Sequence, residues 1–467
     1  MNPRTGHQDH KGISWVTVGF ISLGCAKNLV DSEYMATSLI SAGIHLAPSP
    51  EQADVILVNT CSFIGDAKQE SIDAILDACG EKKAGRCKAV IVAGCLPQRY
   101  RGSLAVAIPE VDAFIGLDQL NELPGLIRKL VSGRKYQAVN VSDESTRLFE
   151  PASRSVSFTG GPHAFVKIAE GCNHRCGFCI IPKIRGPYRS RRISDIVRQS
   201  ERLLESGIRE LDLISQDTTS YGSDLKDGSD LPALLRALGK IGGDFWVRLL
   251  YGHPAHVSYH LLDTIAEVKQ VCKYLDLPIQ HSHPEMLRAM LRPTGSRSGV
   301  RSLPSRIRKM IPEVTLRTTC LVGYPGETNA HFLDLLGFVC EAEFDHLGVF
   351  AFSREEGTRA FGLPCQVCKR TASLRRDQIM RAQQRIVIEK ASKLVGCKEV
   401  ILVEKPESVR KGASKRWIGR SVRHAPGIDG EVRVVEMPPG NHAGKFVVAK
   451  YIAVDGYDLR AAYVGGA

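Results

Sequence analysis

The chain has 467 residues, 43% hydrophobic and 24% charged, the balance of a folded globular protein of about three domains. Lysine and arginine number 62 against 50 aspartates and glutamates, a net charge of +12, which suits an anionic or RNA-rich neighbourhood and equally a plain basic surface. No apolar run approaches the ~20 residues a membrane helix needs, and the polar start MNPRTGHQDHKGIS lacks the apolar stretch of a secretory signal. The expectation is a cytoplasmic, reducing compartment, where fourteen cysteines point to metal or redox chemistry and simple burial rather than to disulfides.

Residues 1–14 read as a polar tail. Residues 15–135 alternate strand and helix: VTVGFISL (16–23), ADVILVNT (53–60) and KAVIVAG (88–94) are strands, and DSEYMATSLISAG is a helix with a glycine stop. Near-continuous apolar strands between helices predict a parallel sheet covered on both faces. Residues 136–160 are polar and lead into Gly-Gly-Pro, which reads as a linker.

Residues 161–393 repeat the unit. Strands are expected at AFVKIAE (164–170), RELDLIS (209–215), FWVRLLY (245–251), YLDLPIQ (274–280), TLRTTCLVG (315–323) and HLGVFAFS (346–353). Six β/α units predict an incomplete barrel, closed by a long basic helix over about 369–395. Residues 394–467 change character: EVILVEK, EVRVVEM and KFVVAKYIAV are short strands with Gly/Pro turns, as in a small β-barrel.

Cys172, Cys176 and Cys179 stand in EGCNHRCGFCIIPKIRG, a CxxxCxxC spacing on the first loop after strand 164–170. Barrel enzymes build their active sites on such loops. A structural zinc ion wants four ligands, and His174, lying between two of the cysteines, converges awkwardly. A disulfide leaves an odd thiol, and three bystanders at this spacing would be coincidence. The reading that fits is a 4Fe–4S cluster on three thiolates with one iron open to a substrate or cofactor.

Cys25, Cys61 and Cys95 each follow a strand of the first domain. Open α/β sheets bind ligands at that edge. Three ordinary buried cysteines are the plain alternative; a second three-thiol cluster is the preferred reading. The CxxC at Cys365 and Cys368 has no matching second pair in the last domain and reads as incidental. Cys79, Cys87, Cys272, Cys320, Cys340 and Cys397 read as structural.

The CxxxCxxC motif and its place resemble the radical SAM superfamily. Taken with Cys25, Cys61 and Cys95 and the terminal β-barrel, about residues 16–465 resemble the methylthiotransferases. SLGCAKNLVDSE, QDTTSYG (216–222), YLDLPIQHSHPEMLRAMLRPT, LVGYPGET (321–328) and VDGYDLRA resemble the branch that modifies small-subunit ribosomal protein S-twelve. The tRNA-modifying branch usually carries a Gly-Cys-Gln-Met-Asn type motif instead. Ala26 stands where this branch often has proline, YGHPAHVS (251–258) is an unusual strand end, and Cys365 and Cys368 match no family cysteine.

The resemblance implies an α/β protein with a Rossmann-like first domain, a TIM-like radical SAM barrel and a TRAM-like terminal barrel. It implies two 4Fe–4S clusters and S-adenosylmethionine, chelated at the open iron of the Cys172/Cys176/Cys179 cluster. The resulting radical would take hydrogen from the β-carbon of an aspartate in the ribosomal protein, with sulfur from the Cys25/Cys61/Cys95 site and methyl from a second S-adenosylmethionine. The two clusters are therefore expected to face one another. A flavodoxin or ferredoxin would donate electrons. Gly323, Gly326 and Glu327 are expected to shape the cofactor pocket, and Gln216 and Gln280 to hydrogen-bond the cofactor; a Gly/Pro turn and loop-backbone contacts are the plain alternatives. The terminal barrel, with Trp417, Phe446, Tyr451, Tyr457 and Tyr463, has few aromatics for stacking bases, so docking of the ribosomal protein, with rRNA nearby, is its implied role. The rival readings are methylthiolation of an adenosine in tRNA and a non-catalytic iron–sulfur or zinc module that binds RNA.

Overall fold

The computed structural model describes residues 16–132, 137–148, 156–292, 299–407 and 416–467; the expected tail and part of the expected linker lie outside them. The chain divides into two compact units, one of residues 1–62, 66–145 and 151–156, the other holding the rest.

The first unit is built on a parallel sheet. Its strands are β1 (Thr17–Ser22), β2 (His45–Leu46), β3 (Val55–Thr60), β4 (Ala89–Gly94), β5 (Ala113–Ile115) and β6 (Ala138–Asn140), in the order β2-β1-β3-β4-β5-β6. Helices α1 (Ala26–Ser41), α2 (Gly65–Lys83), α3 (Cys95–Tyr100), α4 (Gly102–Ala107) and α5 (Leu123–Val131) connect them. Every residue of β3 and β4 is buried, which is why these strands read as unbroken apolar runs. The sequence reading missed β2, β5 and β6, each of two or three residues. Strand β6 falls in the segment read as linker, because three residues carry too little pattern to stand out.

The second unit opens with β7 (His163–Lys167) and the short β8 (Ala169–Glu170), which pairs with β9 (Arg189–Ser190). Then come β10 (Glu210–Ile214), β11 (Trp246–Leu249), β12 (Val271–Asp276), β13 (Thr315–Val322) and β14 (His346–Ala351). The parallel sheet runs β14-β13-β12-β11-β10-β7, six strands of an unclosed barrel. Strand β12 starts three residues earlier than YLDLPIQ suggested and ends at Asp276. Between the strands lie α6 (Ile181–Arg185), α7 (Ile193–Glu205), α8 (Leu231–Leu238), α9 (Tyr259–Glu267), α10 (Pro284–Ala289), α11 (Leu303–Met310) and α12 (Asn329–Ala342). Asp230 caps α8 through Ala233 N–H at 2.8 Å, and Ser258 caps α9 through Leu261 N–H at 3.1 Å. Strand and helix faces share one core, with Val166, Leu213, Leu234, Leu262, Leu335 and Ile379 completely buried, each such side chain contributing ~1.5–3 kcal/mol.

Helix α13 (Lys369–Leu394) leads to a closed barrel of β15 (Lys398–Pro406), β16 (Trp417–Ser421), β17 (Val432–Val435), β18 (Phe446–Asp455) and β19 (Asp458–Gly466). Trp417 and Tyr451 belong to its core, so neither stands free to stack a base. Phe446 packs on Trp246 of β11, ring centroids 4.9 Å apart. Of the cysteines read as structural, Cys79, Cys87, Cys272 and Cys320 are buried, whereas Cys340 and Cys397 are exposed and fill no core.

Candidate active site

The loop after β8 is tied to two neighbouring segments and by a turn of its own. Its backbone is held by Cys172 N–H to Gly186 O at 3.1 Å, Gly177 N–H to Met290 O at 2.7 Å and Cys179 N–H to Cys176 O at 3.0 Å. Beneath it, Glu170 accepts from Lys167 at 2.6 Å, Arg185 at 3.0 Å and the Gln216 amide at 2.7 Å. Burial alone would raise the Glu170 carboxyl; Arg185 and Lys167 outweigh it and hold the group below the usual carboxylate range.

Cys176 is buried, Cys172 and Cys179 are half-buried, and all three thiols are free. Cys172 feels the charge of Cys176, and Cys179 that of both Cys176 and Cys172, so the three stand in one neighbourhood. Burial pushes the Cys172 thiol up to about 11 and the Cys179 thiol up to about 12, so iron must displace their protons to bind. Three soft donors in a sheltered loop suit a three-thiolate 4Fe–4S cluster.

Gln216 gives its amide N–H to Glu170, while its Oε1 is buried with no hydrogen-bond partner. Gln280 has φ 68° and bridges Cys320 through its backbone, a turn role for the main chain. Gly323 has φ 78°, and a Cβ there would lie 2.5 Å from the Ala372 Cβ, so only glycine lets α13 pack so close. Gly326 N–H donates to Cys365 O at 2.9 Å. Glu327 is turned inward: it accepts from Gly323 N–H, pairs with Arg375 at 3.1 Å and lies 3.7 Å from His281. It braces the loop.

The sequence reading weighed His174 only as a zinc ligand, and missed Arg292 and the cluster that His174 forms with Asp217, His253 and His256. Asp217 Oδ2 pairs with His174 Nε2 at 2.7 Å and His256 Nδ1 at 3.0 Å, and its backbone O accepts from the Tyr188 hydroxyl at 2.8 Å. The three ring-nitrogen positions fall within 4.8 Å of one another. However, His253 Nδ1 accepts from Ala255 N–H at 3.2 Å, which leaves the proton on Nε2, a buried atom with no hydrogen-bond partner among the described residues. Burial, with Arg292 adding to it, lowers the His253 imidazole to about 2 and keeps it neutral. YGHPAHVS and the aspartate after Gln216 were the visible signals.

In the first unit, Cys25 caps α1, Cys61 directly follows β3 and Cys95 opens α3. The strand ends are adjacent: Ser22 pairs with Asn59 and Thr60 with Gly94. A Cβ on Gly24 (φ 91°) would lie 2.7 Å from Cys61 Cβ and 3.2 Å from its Sγ, so glycine is required where the Cys25 loop passes Cys61. Asn28 gathers the three ends. Its amide donates to Leu23 O at 3.1 Å and Thr60 O at 2.8 Å, and its Oδ1 lies 3.5 Å from Cys95 Sγ. Cys61 and Cys95 are buried and Cys25 is exposed; three sulfur donors at adjacent strand ends also suit a three-thiolate cluster.

Comparison with known proteins agrees with this layout. Residues 17–116 match the uncharacterized protein family UPF0004, residues 166–339 the radical SAM superfamily and residues 395–464 the TRAM domain. The solved radical S-adenosylmethionine methyltransferase TsrM from Kitasatospora setae, with cobalamin and a 4Fe-4S cluster bound, aligns over 85% of this chain and 81% of that one, at TM-score 0.55 and 13% identity; it shares the fold. These features define a radical SAM protein that carries an N-terminal UPF0004 domain and a TRAM domain. Among curated relatives, the ribosomal protein uS12 methylthiotransferase RimO of Syntrophus aciditrophicus is 43% identical over 446 residues, 95% of this chain and 98% of its own. That of Akkermansia muciniphila is 42% identical over 464 residues, 96% of this chain and 99% of its own. The chain belongs to the ribosomal protein uS12 methylthiotransferase family.

Proposed function

We propose that the protein methylthiolates the β-carbon of an aspartate in ribosomal protein uS12. The observation that carries this is the pairing of two separate three-thiol sets, each at strand ends of its own sheet, in a chain that matches uS12 methylthiotransferases over nearly its whole length. Cys172, Cys176 and Cys179 hold the cluster that works with S-adenosylmethionine, and Cys25, Cys61 and Cys95 hold the second. When bound, these groups supply the radical for an unactivated C–H bond, the sulfur and the methyl group.

The chain's own residues prepare the sites. Lys167, Arg185 and Glu170 fix the floor of the cysteine loop. Gln216 presents an amide oxygen with no protein partner, suited to a donor group of the cofactor. Arg375 and Glu327 hold the Gly323–Gly326 turn in shape, and Asn28 holds the first-unit cysteines together. The net charge of +12 favours an acidic one-electron donor such as flavodoxin or ferredoxin, and rRNA close to uS12. The terminal barrel contributes docking surface for the ribosomal protein.

The test is mass spectrometry of digested uS12 and of total tRNA from cells lacking the gene and from complemented cells. The methylthio mark should vanish from the aspartyl peptide and return on complementation, with tRNA unchanged. Loss of a methylthiolated tRNA nucleoside with the peptide mark intact would sink the proposal in favour of tRNA.

A further inference from the structure

We infer that Arg292 sets the electron affinity of the cluster held by Cys172, Cys176 and Cys179, through an N–H···S hydrogen bond to Cys176. The inference rests on the ligand assignment proposed above.

Arg292 NH1 lies 3.5 Å from Cys176 Sγ. The other end of the guanidinium donates to Pro278 O at 2.5 Å, so the fork is anchored on one side and aimed at sulfur on the other. The backbone also fixes that aim. Helix α10 ends in a paired turn: Leu291 N–H reaches Arg288 O at 3.0 Å, and Arg292 N–H reaches Leu287 O at 2.9 Å. This is the Schellman arrangement, which puts its turning residue in the left-handed region and usually employs glycine. Here a leucine takes it, Leu291 with φ 53°, a conformation that any residue with a Cβ resists. One residue before that turn, Met290 O accepts from Gly177 N–H at 2.7 Å, next to Cys176 in the chain. Helix end and cysteine loop are thus in register, and the strained turn delivers Arg292 to the sulfur.

The same loop holds Cys172 and Cys179, with Cys179 N–H bonded to Cys176 O at 3.0 Å. A guanidinium stays charged at any relevant pH. Reducing the cluster adds one electron to a group already anionic, with no proton needed. A fixed cation and an N–H bond to a ligating sulfur favour the form with the extra negative charge, and so raise the potential. Arg292 is a positioning residue in this sense: it acts on the sulfur ligand, not on the substrate.

The experiment uses the full chain with Cys25, Cys61 and Cys95 changed to serine, so that one cluster is left to observe. The protein is reconstituted with iron and sulfide under anaerobic conditions and titrated with dithionite by electron paramagnetic resonance. Arg292→Met should lower the one-electron reduction constant roughly tenfold, about 59 mV. Arg292→Lys, which keeps the charge but not the fork, should shift it less in the same direction. A midpoint in Arg292→Met equal to that of the parent overturns the inference, as does a change in melting temperature with no change in potential. If Arg292→Met does not retain iron, Arg292→Lys decides: a midpoint equal to the parent's removes the hydrogen bond's role. Absence of a four-iron cluster from the parent itself refutes the ligand assignment, and the inference with it, before any change at Arg292 is made.

Discussion

Asn28 shows how one side chain can organise a site to which it donates no ligand. Its two amide bonds hold Leu23 O and Thr60 O, and its oxygen meets Cys95, so the loops bearing all three cysteines close on it. Each buried bond contributes ~0.5–1.5 kcal/mol net, and a carbonyl left without its donor costs ~1–3 kcal/mol. Asn28→Asp keeps the size but removes both N–H donors and adds a buried negative charge beside the thiols. The expected result is loss of about half the iron and sulfide per chain, with the Cys172/Cys176/Cys179 cluster retained. Iron analysis of the variant beside Cys25→Ser settles it: full iron content in Asn28→Asp would mean that the sulfurs find their places without this residue.

At the scale of elements, the contact between β13 and α13 fixes the loop at 323–327. Gly323 meets Ala372 with no room for a Cβ, and Arg375, one helical turn further on, reaches back to Glu327 by its carboxylate and its carbonyl, both at 3.1 Å. Arg375→Met leaves the Glu327 carboxylate buried without its cation, a loss of ~3–5 kcal/mol in stability that urea unfolding should register. Arg375→Lys should recover part of it; an unchanged midpoint in both variants would show that His281 and the Gly323 N–H suffice. This brace also marks the limit of what the sequence made legible. The cysteines were readable because each follows an apolar strand, and strand ends are where α/β sheets present ligands. The long strands were readable for the same reason. Glu327 was legible as a loop residue, but the direction of its carboxylate depends on Arg375, 48 positions away. The Asp217 cluster and Arg292 likewise draw on several separate loops, and β2, β5, β6 and β9 are too short to carry a period.

At the scale of the second unit, the terminal barrel is locked to the radical SAM sheet by buried charge. Glu210 of β10 receives Arg248 of β11 at 2.6 Å and Arg420 of β16 at 2.6 Å, all three essentially without solvent contact. Arg248 also donates to Val422 O at 2.7 Å, Tyr274 to Asp429 at 2.6 Å, and His346 is bonded to Arg423 O at 2.8 Å. These groups lie away from the strand ends that carry the site, so the docking supports the sheet without entering the chemistry. Burial would raise the Glu210 carboxyl, but Arg248 and Arg420 outweigh it and hold the group below its ordinary value. A depressed carboxyl contributes stability that is present above its unfolded pKa of ~4.3 and is lost as pH falls through the folded value. Asp212, raised by burial and by Glu210, works in the opposite sense, so the wild-type curve mixes the two. In Glu210→Gln the carboxylate is gone, and with it the Glu210 contribution to the Asp212 shift. The variant leaves two arginines buried without their carboxylate and should lose ~3–5 kcal/mol at neutral pH. Its deficit against wild type should shrink as pH falls from about 5 toward 2, because the unfolded wild-type chain takes up a proton there that the folded carboxylate, held down to about 2, still refuses. Thermal unfolding of both full-length proteins across that range is the measurement. A deficit that stays constant with pH would show that Glu210 acts by shape and hydrogen bonding alone, and that charge does not hold the two parts together.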